Sequence, residues 1–137
     1  MNGEDLRIAH HEACHIVAAH NYGWRLNAVL RGRHWGMSLS SPRKDGVAAE
    51  RALDAAVVLL APFFEDPTGC EDDLRDVDGL IEYGVSLTAA WHAAAKLVAN
   101  PEYRRKVRAI EAVLYKHTIL SGEELELLLA LQKEQQS

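Results

Sequence analysis

The feature that most constrains the fold is an uninterrupted stretch from Leu6 to Tyr22 that contains neither glycine nor proline. Its apolar residues recur at positions 6, 8, 9, 13, 16 and 17, which is the spacing of one face of an α-helix. Asp5 precedes the stretch as a candidate N-cap, and Gly23 follows it as a candidate stop signal. We therefore predict a first helix whose apolar side the remaining chain has to cover.

The remaining sequence predicts a mainly α, α+β domain that spans residues 1–137. The first helix and its turn occupy residues 1–24, and short β-compatible segments in residues 25–41 predict a hairpin or two-stranded sheet. Residues 47–99 predict helices that carry further candidate site residues, and residues 101–135 predict C-terminal helices. No internal repeat divides the chain, so we expect a single domain.

Breakers and caps place the helix boundaries inside these ranges. We expect a buried helix over residues 47–64, and a next helix that begins at Thr68 or the glycine after it and is kinked at Gly84. Pro101 is well placed as the first residue of the following helix. The capping box in residues 121–124 opens the terminal helix.

Composition and charge narrow the functional classes. The 137-residue chain has 15 Lys and Arg against 20 Asp and Glu, a formal net charge of −5, which disfavours nonspecific binding to nucleic acid. No apolar run approaches the roughly 20 residues that cross a bilayer, and the N-terminus does not resemble a signal peptide. Two cysteines do not make a disulfide framework. We expect a reduced, cytoplasmic protein that binds no nucleic acid, no membrane and no ATP.

The chemical signature is the segment His11-Glu12-Ala13-Cys14-His15 within the first helix. Four residues advance about 400° around a helix, so His11 and His15 project from one face a turn apart. Two imidazoles at this spacing can bind one Zn²⁺ at about 2.1 Å. Glu12 lies roughly 100° further round, where it reaches a water on the metal more easily than the metal itself. The arrangement is typical of a zinc peptidase, with Glu12 as the catalytic proton acceptor.

A catalytic zinc site also needs a third protein ligand and an open position for water. The best candidates are two neighbouring carboxylates at the start of a later helix, Asp72 and Asp73. Glu71 or Asp76 is a candidate to orient an imidazole through its second nitrogen. His10 is either a further supporting group around the metal or an ordinary surface histidine.

Three segments resemble, in the same order, the peptidase domain of the FtsH-type ATP-dependent zinc metalloproteases. Residues 9–15 resemble that family's H-E-A-G-H motif, and residues 27–36 resemble its strand with an R-G turn. The segment Thr68-Gly69-Cys70-Glu71-Asp72-Asp73-Leu74 is similar to its T-G-A-x-x-D-L segment, whose aspartate supplies the third zinc ligand. The resemblance therefore implies that the two motif histidines and Asp73 hold the metal.

The resemblance extends to helical segments at residues 53–61 and 110–129, so it covers most of the chain. It implies a compact, helical, zincin-like metallopeptidase domain with Zn²⁺ as cofactor, standing alone without the family's AAA module. It also implies peptide or unfolded protein as substrate and allows a homo-oligomer. Two departures are that Cys14 replaces the usual glycine and Cys70 the usual alanine, and the spacing between His15 and Asp73 is shorter than the family norm.

We therefore expect a zinc-dependent metalloendopeptidase that is not itself ATP-dependent and that binds substrate as an added strand along residues 35–39. The alternative is a non-catalytic zinc-binding adaptor or regulatory module that retains the peptidase fold. A third interpretation is a plain helical domain with a chance motif. Cys14 and Cys70 are interpreted as buried thiols, as a redox-sensitive pair or as inhibitory thiols beside the metal. Cys70 and Asp72 both stay rivals of Asp73 as third ligand.

Overall fold

The computed structural model describes residues 3–42, 48–64, 66, 70–82 and 84–134. Within them the fold is mainly helical with a small antiparallel sheet, which confirms the predicted fold class. The elements in chain order are α1 (Gly3–Asn21), β1 (Arg25–Arg31), β2 (Gly36–Ser41), α2 (Ala48–Leu60), α3 (Glu71–Glu82), α4 (Leu87–Ala99), α5 (Pro101–His117), β3 (Ile119–Ser121) and α6 (Gly122–Glu134). A short 3-10 helix, Ala61–Phe64, continues the chain after α2.

Helix α1 confirms the first predicted helix but begins earlier. It starts at Gly3, so the expectation that Asp5 is its N-cap is wrong. Asp5 lies instead in the first turn together with Glu4, where the helix dipole stabilises negative charge. Gly23, at a φ of 73°, follows the end of the helix in the left-handed conformation that glycine adopts without strain.

The predicted hairpin is present and belongs to a three-stranded sheet of order β2-β1-β3. β3 was not predicted, because three residues are too few to show an alternating pattern. Val29 in the central strand pairs with Ser38 on one side and with Leu120 on the other. This order leaves β2 at one edge of the sheet.

The helix predicted to follow residue 67 differs in two ways from the structure. Its expected start at Thr68 or Gly69 lies outside the described residues, and the described helix α3 begins at Glu71. The expected kink at Gly84 is wrong, because the chain there leaves helical geometry at a φ of 92° and forms two separate helices. Ser86 then caps α4 by accepting a hydrogen bond from the backbone nitrogen of Ala89 at 3.2 Å.

Two hydrophobic clusters hold these elements together. The first packs α1 against α5, α6 and the sheet, and its largest fully buried side chains are Ile16, Val29, Val107, Ile110, Leu114, Leu120, Leu125 and Leu129. The second joins α2, α3 and α4 through Ala56, Val57, Leu60, Val77, Val85, Ala90 and Ala94. In the described part of the chain, no helix has the length and apolar character required to cross a bilayer.

Candidate metal centre

Two histidines of α1 form the base of the candidate site. His11 and His15 lie one turn apart, with ring centroids separated by 4.8 Å and ring planes inclined at 79°. Their Nε2 atoms stand 3.2 Å apart. His15 is only 6% exposed, because α1 is buried on nearly every side from residue 12 to residue 19. The i, i+4 geometry expected from the motif is therefore present.

Asp73 reaches this pair from the first turn of α3. Its Oδ2 atom lies 2.9 Å from His11 Nε2 and 3.0 Å from His15 Nε2. Val77, one turn later on the same face of α3, is 2% exposed and anchors the helix in the second hydrophobic cluster. Asp72 does not join the site, since it is exposed and stands 3.7 Å from Arg75 on its own helix.

The three donor atoms are arranged so that they could hold a metal ion. Tetrahedral ligands with bonds of about 2.1 Å stand about 3.4 Å apart. The observed separations of 2.9, 3.0 and 3.2 Å need only a small outward movement to reach that spacing. Burial raises the pKa of Asp73, but its contacts with His11 and His15 outweigh burial and hold that pKa below its usual range. Asp73 is thus an ionised carboxylate, the form in which it can bind a metal.

The second nitrogen of His15 has a backbone partner. His15 Nδ1 lies 2.7 Å from the carbonyl oxygen of Val58, so an Nδ1–H donates there and leaves Nε2 facing Asp73. The expectation that Glu71 or Asp76 orients this imidazole is not met. Burial lowers the pKa of His15, while Asp73, Glu12 and the Val58 carbonyl raise it, and the balance is a raised pKa.

Cys70 lies behind His11 rather than in front of it. Its sulfur belongs to a group with His11 and Asp73 whose donor atoms all fall within 4.8 Å, so it too could take part in holding a metal. Its contact with His11, however, is to Nδ1 at 4.0 Å, on the opposite side of the ring from Asp73. Burial, followed by the charge of Asp73, raises the pKa of the Cys70 thiol to about 11. The thiol is therefore protonated and unreactive at neutral pH.

Glu12 completes the arrangement expected from the sequence. It is only 7% exposed, and its Oε2 atom is buried without a hydrogen-bond partner among the described residues. Burial raises the pKa of Glu12, although the nearby His15 and His11 act in the opposite direction. With His11 and His15, it also forms a group that could hold a metal ion. A carboxylate that is buried at this cost marks a site with a further ligand to receive.

A groove of about 620 Å³ opens over these residues. Glu12, His15 and Asp73 lie along it, beside the edge strand β2. The rest of its wall includes the apolar side chains of Trp24, Ala55, Val58 and Leu59. The groove therefore gives an extended ligand access to the candidate centre.

His10 and Cys14 point away from this centre. His10 Nδ1 lies 3.0 Å from Glu111 Oε1 on α5, and His10 Nε2 lies 3.5 Å from the Cys14 sulfur. His10 is thus a partly buried link between α1 and α5, which neither of the two sequence interpretations described. Cys14 is buried and free, and so is Cys70. The cysteine that departs from the resembled motif therefore faces the α5 side of the helix.

In comparisons with known proteins, no family model matches the sequence, and no curated protein matches it significantly.

Proposed function

We propose that this protein is a zinc-dependent metalloendopeptidase that hydrolyses peptide bonds without itself using ATP. The observation that carries the proposal is the meeting of Asp73 with His11 and His15, beside a buried Glu12 and an open groove. Two imidazoles and one carboxylate are a donor set that suits catalytic zinc and leaves a fourth position open. The resemblance to FtsH-type peptidase domains is part of this proposal and is supported by the position of Asp73.

Zinc bound at this site would polarise the scissile carbonyl and lower the pKa of a bound water. His15, held by the Val58 carbonyl, and His11 would present their Nε2 atoms as ligands. Glu12 takes the role of proton carrier: its unpartnered Oε2 accepts a proton from the attacking water and returns it to the leaving amine. Its raised pKa suits both halves of that transfer near neutral pH.

The substrate that fits this groove is an extended peptide or an unfolded protein segment. β2 is an edge strand, so its outer backbone groups face the groove and can pair with an added strand. Backbone pairing recognises an extended chain with little regard to its sequence, and the apolar wall adds contacts for larger side chains.

The proposal is tested by cleavage of an unstructured, fluorescence-quenched peptide by protein loaded with one equivalent of zinc. Wild type should cleave it, a chelator should abolish cleavage, and zinc should restore it. Glu12→Gln should keep its zinc and lose at least about a hundredfold in kcat, since general-base catalysis contributes that much or more. Asp76→Asn, an exposed carboxylate on the rim of the groove, is the matched control.

The outcome also decides the alternative function. A protein that binds one zinc tightly but does not cleave any peptide would support the non-catalytic adaptor or regulatory module. A Glu12→Gln variant as active as wild type would contradict the proposed mechanism.

A further inference from the structure

The inner face of β2 lies directly over Glu12 and is built from small residues. The strand alternates, so that Gly36 and Ser38 are partly buried while Met37 and Leu39 are exposed. We propose that Gly36 and Ser38 are positioning residues that hold the Glu12 carboxylate in its reactive orientation. This inference rests on the proposed peptidase function.

Gly36 provides the space that Glu12 occupies. A Cβ atom at position 36 would stand 2.5 Å from Glu12 Cγ, 2.8 Å from Ile8 Cγ2 and 3.1 Å from Glu12 Cδ. Separations under 3.0 Å do not occur between real atoms, so any side chain here has to displace either Glu12 or Ile8. Ile8 lies on α1 one turn before Glu12 and is itself partly buried. The flexible glutamate is therefore the group that would move.

Ser38 holds the same carboxylate from the next inward position of the strand. Its side chain is hydrogen-bonded to the Glu12 side chain. The other carboxylate oxygen, Oε2, is buried and has no partner among the residues that the structure describes. The two oxygens thus have separate roles, one anchored by the strand and the other free to exchange a proton.

This division matters because a general base works only within hydrogen-bond reach of the proton it takes. A displacement of about 1 Å can cost roughly a hundredfold in rate. Substrate binding, in contrast, depends on the outer edge of β2 and on the apolar wall of the groove. Loss of either positioning residue should therefore lower kcat much more than it changes KM.

The first test observes Glu12 directly and needs neither zinc nor substrate. Protein labelled with ¹³C at the glutamate carboxyl groups is compared by NMR, and the Glu12 resonance is assigned by its loss in Glu12→Gln. Ser38→Ala and Gly36→Ala should each shift that resonance. Ser38→Thr keeps the hydroxyl and should leave it near its wild-type position. Gly79→Ala is the matched glycine control, because a Cβ there meets nothing within 4 Å.

The second test measures peptide cleavage by the same proteins after zinc loading. Ser38→Ala should lose about tenfold or more in kcat with KM within roughly twofold of wild type, and Ser38→Thr should recover most of the loss. Gly36→Ala should lose at least as much, with zinc content unchanged. Ser38→Ala adds no atoms, so it decides the matter even if Gly36→Ala fails to fold.

A Glu12 resonance that is identical in wild type and in Ser38→Ala would overturn the inference, whatever the cleavage assay shows. Equal kcat values for wild type, Ser38→Ala and Ser38→Thr would overturn it as well. Absence of cleavage by zinc-loaded wild type would instead overturn the proposed function alone, since the carboxyl resonance is read without metal.

Discussion

His15 Nδ1 lies 2.7 Å from the carbonyl oxygen of Val58, and this contact fixes which nitrogen of the ring faces Asp73. Val58 lies in the last turn of α2, where backbone carbonyls lack a full set of partners within the helix. The end of one helix therefore supplies the group that orients a side chain of another. The orientation exists before any metal arrives, which leads to the first prediction.

Removal of metal should loosen the protein without unfolding it. The hydrophobic clusters and the His15–Val58 contact do not involve the ion, so chelated protein should keep its helical circular dichroism spectrum. Zinc at a hundredfold excess over its Kd should stabilise the fold by about 2.7 kcal/mol, or roughly 10 °C in Tm. Differential scanning calorimetry with and without chelator measures both effects. Collapse of the spectrum on chelation would contradict a preformed site.

Asp73 and Asp72 should respond differently to the same substitution. Loss of an outer residue that merely orients a ligand typically costs 10- to 100-fold in metal affinity, so loss of a direct ligand should cost about a hundredfold or more. Asp73→Asn should therefore weaken zinc binding by at least that factor in a competition titration with a chromogenic chelator. Asp72→Asn changes a carboxylate that is 90% exposed and should bind zinc as wild type does. Equal losses in both variants would show that Asp73 has no special place.

The His10–Glu111 contact should stabilise the fold in a pH-dependent way. Contacts with Cys14, then with Glu111, outweigh burial and raise the pKa of His10 from 6.5 to about 11. A raised pKa means that the folded protein holds the proton more tightly than the unfolded chain does. The stabilisation is therefore complete below pH 6.5 and is lost as the pH rises toward 11.

Glu111→Gln should accordingly cost about 1–2 kcal/mol near pH 6 and clearly less near pH 10. Urea unfolding of wild type and variant at several pH values gives the difference directly. Glu123→Gln, on the exposed start of α6, controls for the loss of a carboxylate alone. A difference that stays constant across this range would refute the assignment of a charged His10.

Both cysteines should behave as protected thiols. Cys14 and Cys70 are each 1% exposed and unpaired, and burial raises the pKa of Cys70 to about 11. Iodoacetamide should therefore modify neither in native protein at pH 7.5, and both after denaturation. The intact mass should be the same with and without reductant. A mass difference of two hydrogens between these samples would revive the redox-pair interpretation.

The parts of the site that the sequence could predict are those set by a single helix. The spacing of His11, Glu12 and His15 is local, and helical geometry alone places the two imidazoles on one face. The choice between Asp72 and Asp73 was not open to that argument. It depends on the rotation of α3, which the burial of Val77 in a distant cluster decides. The family resemblance favoured Asp73, the carboxylate that the structure brings to the two histidines.

Other features of the site leave no residue signature at all. The Val58 carbonyl is a backbone group, so its role would be the same for many residue types at that position. Gly36 contributes by the absence of a side chain, and only the approach of β2 to α1 makes that absence matter. Similarly, Gly84 suggested a bend because its local cost resembles that of a break, and tertiary packing decided between them.

The two hydrophobic clusters meet at the candidate centre, and this has a mechanical consequence. His11 and His15 belong to a helix of one cluster, while Asp73 belongs to a helix of the other. An ion held by all three would rivet two separately packed bodies, so the strength of its binding and the resistance of those bodies to separation would be one reciprocal quantity. Any force or ligand that pries α3 from α1 would thus release the ion, and supply of the ion would close the seam again.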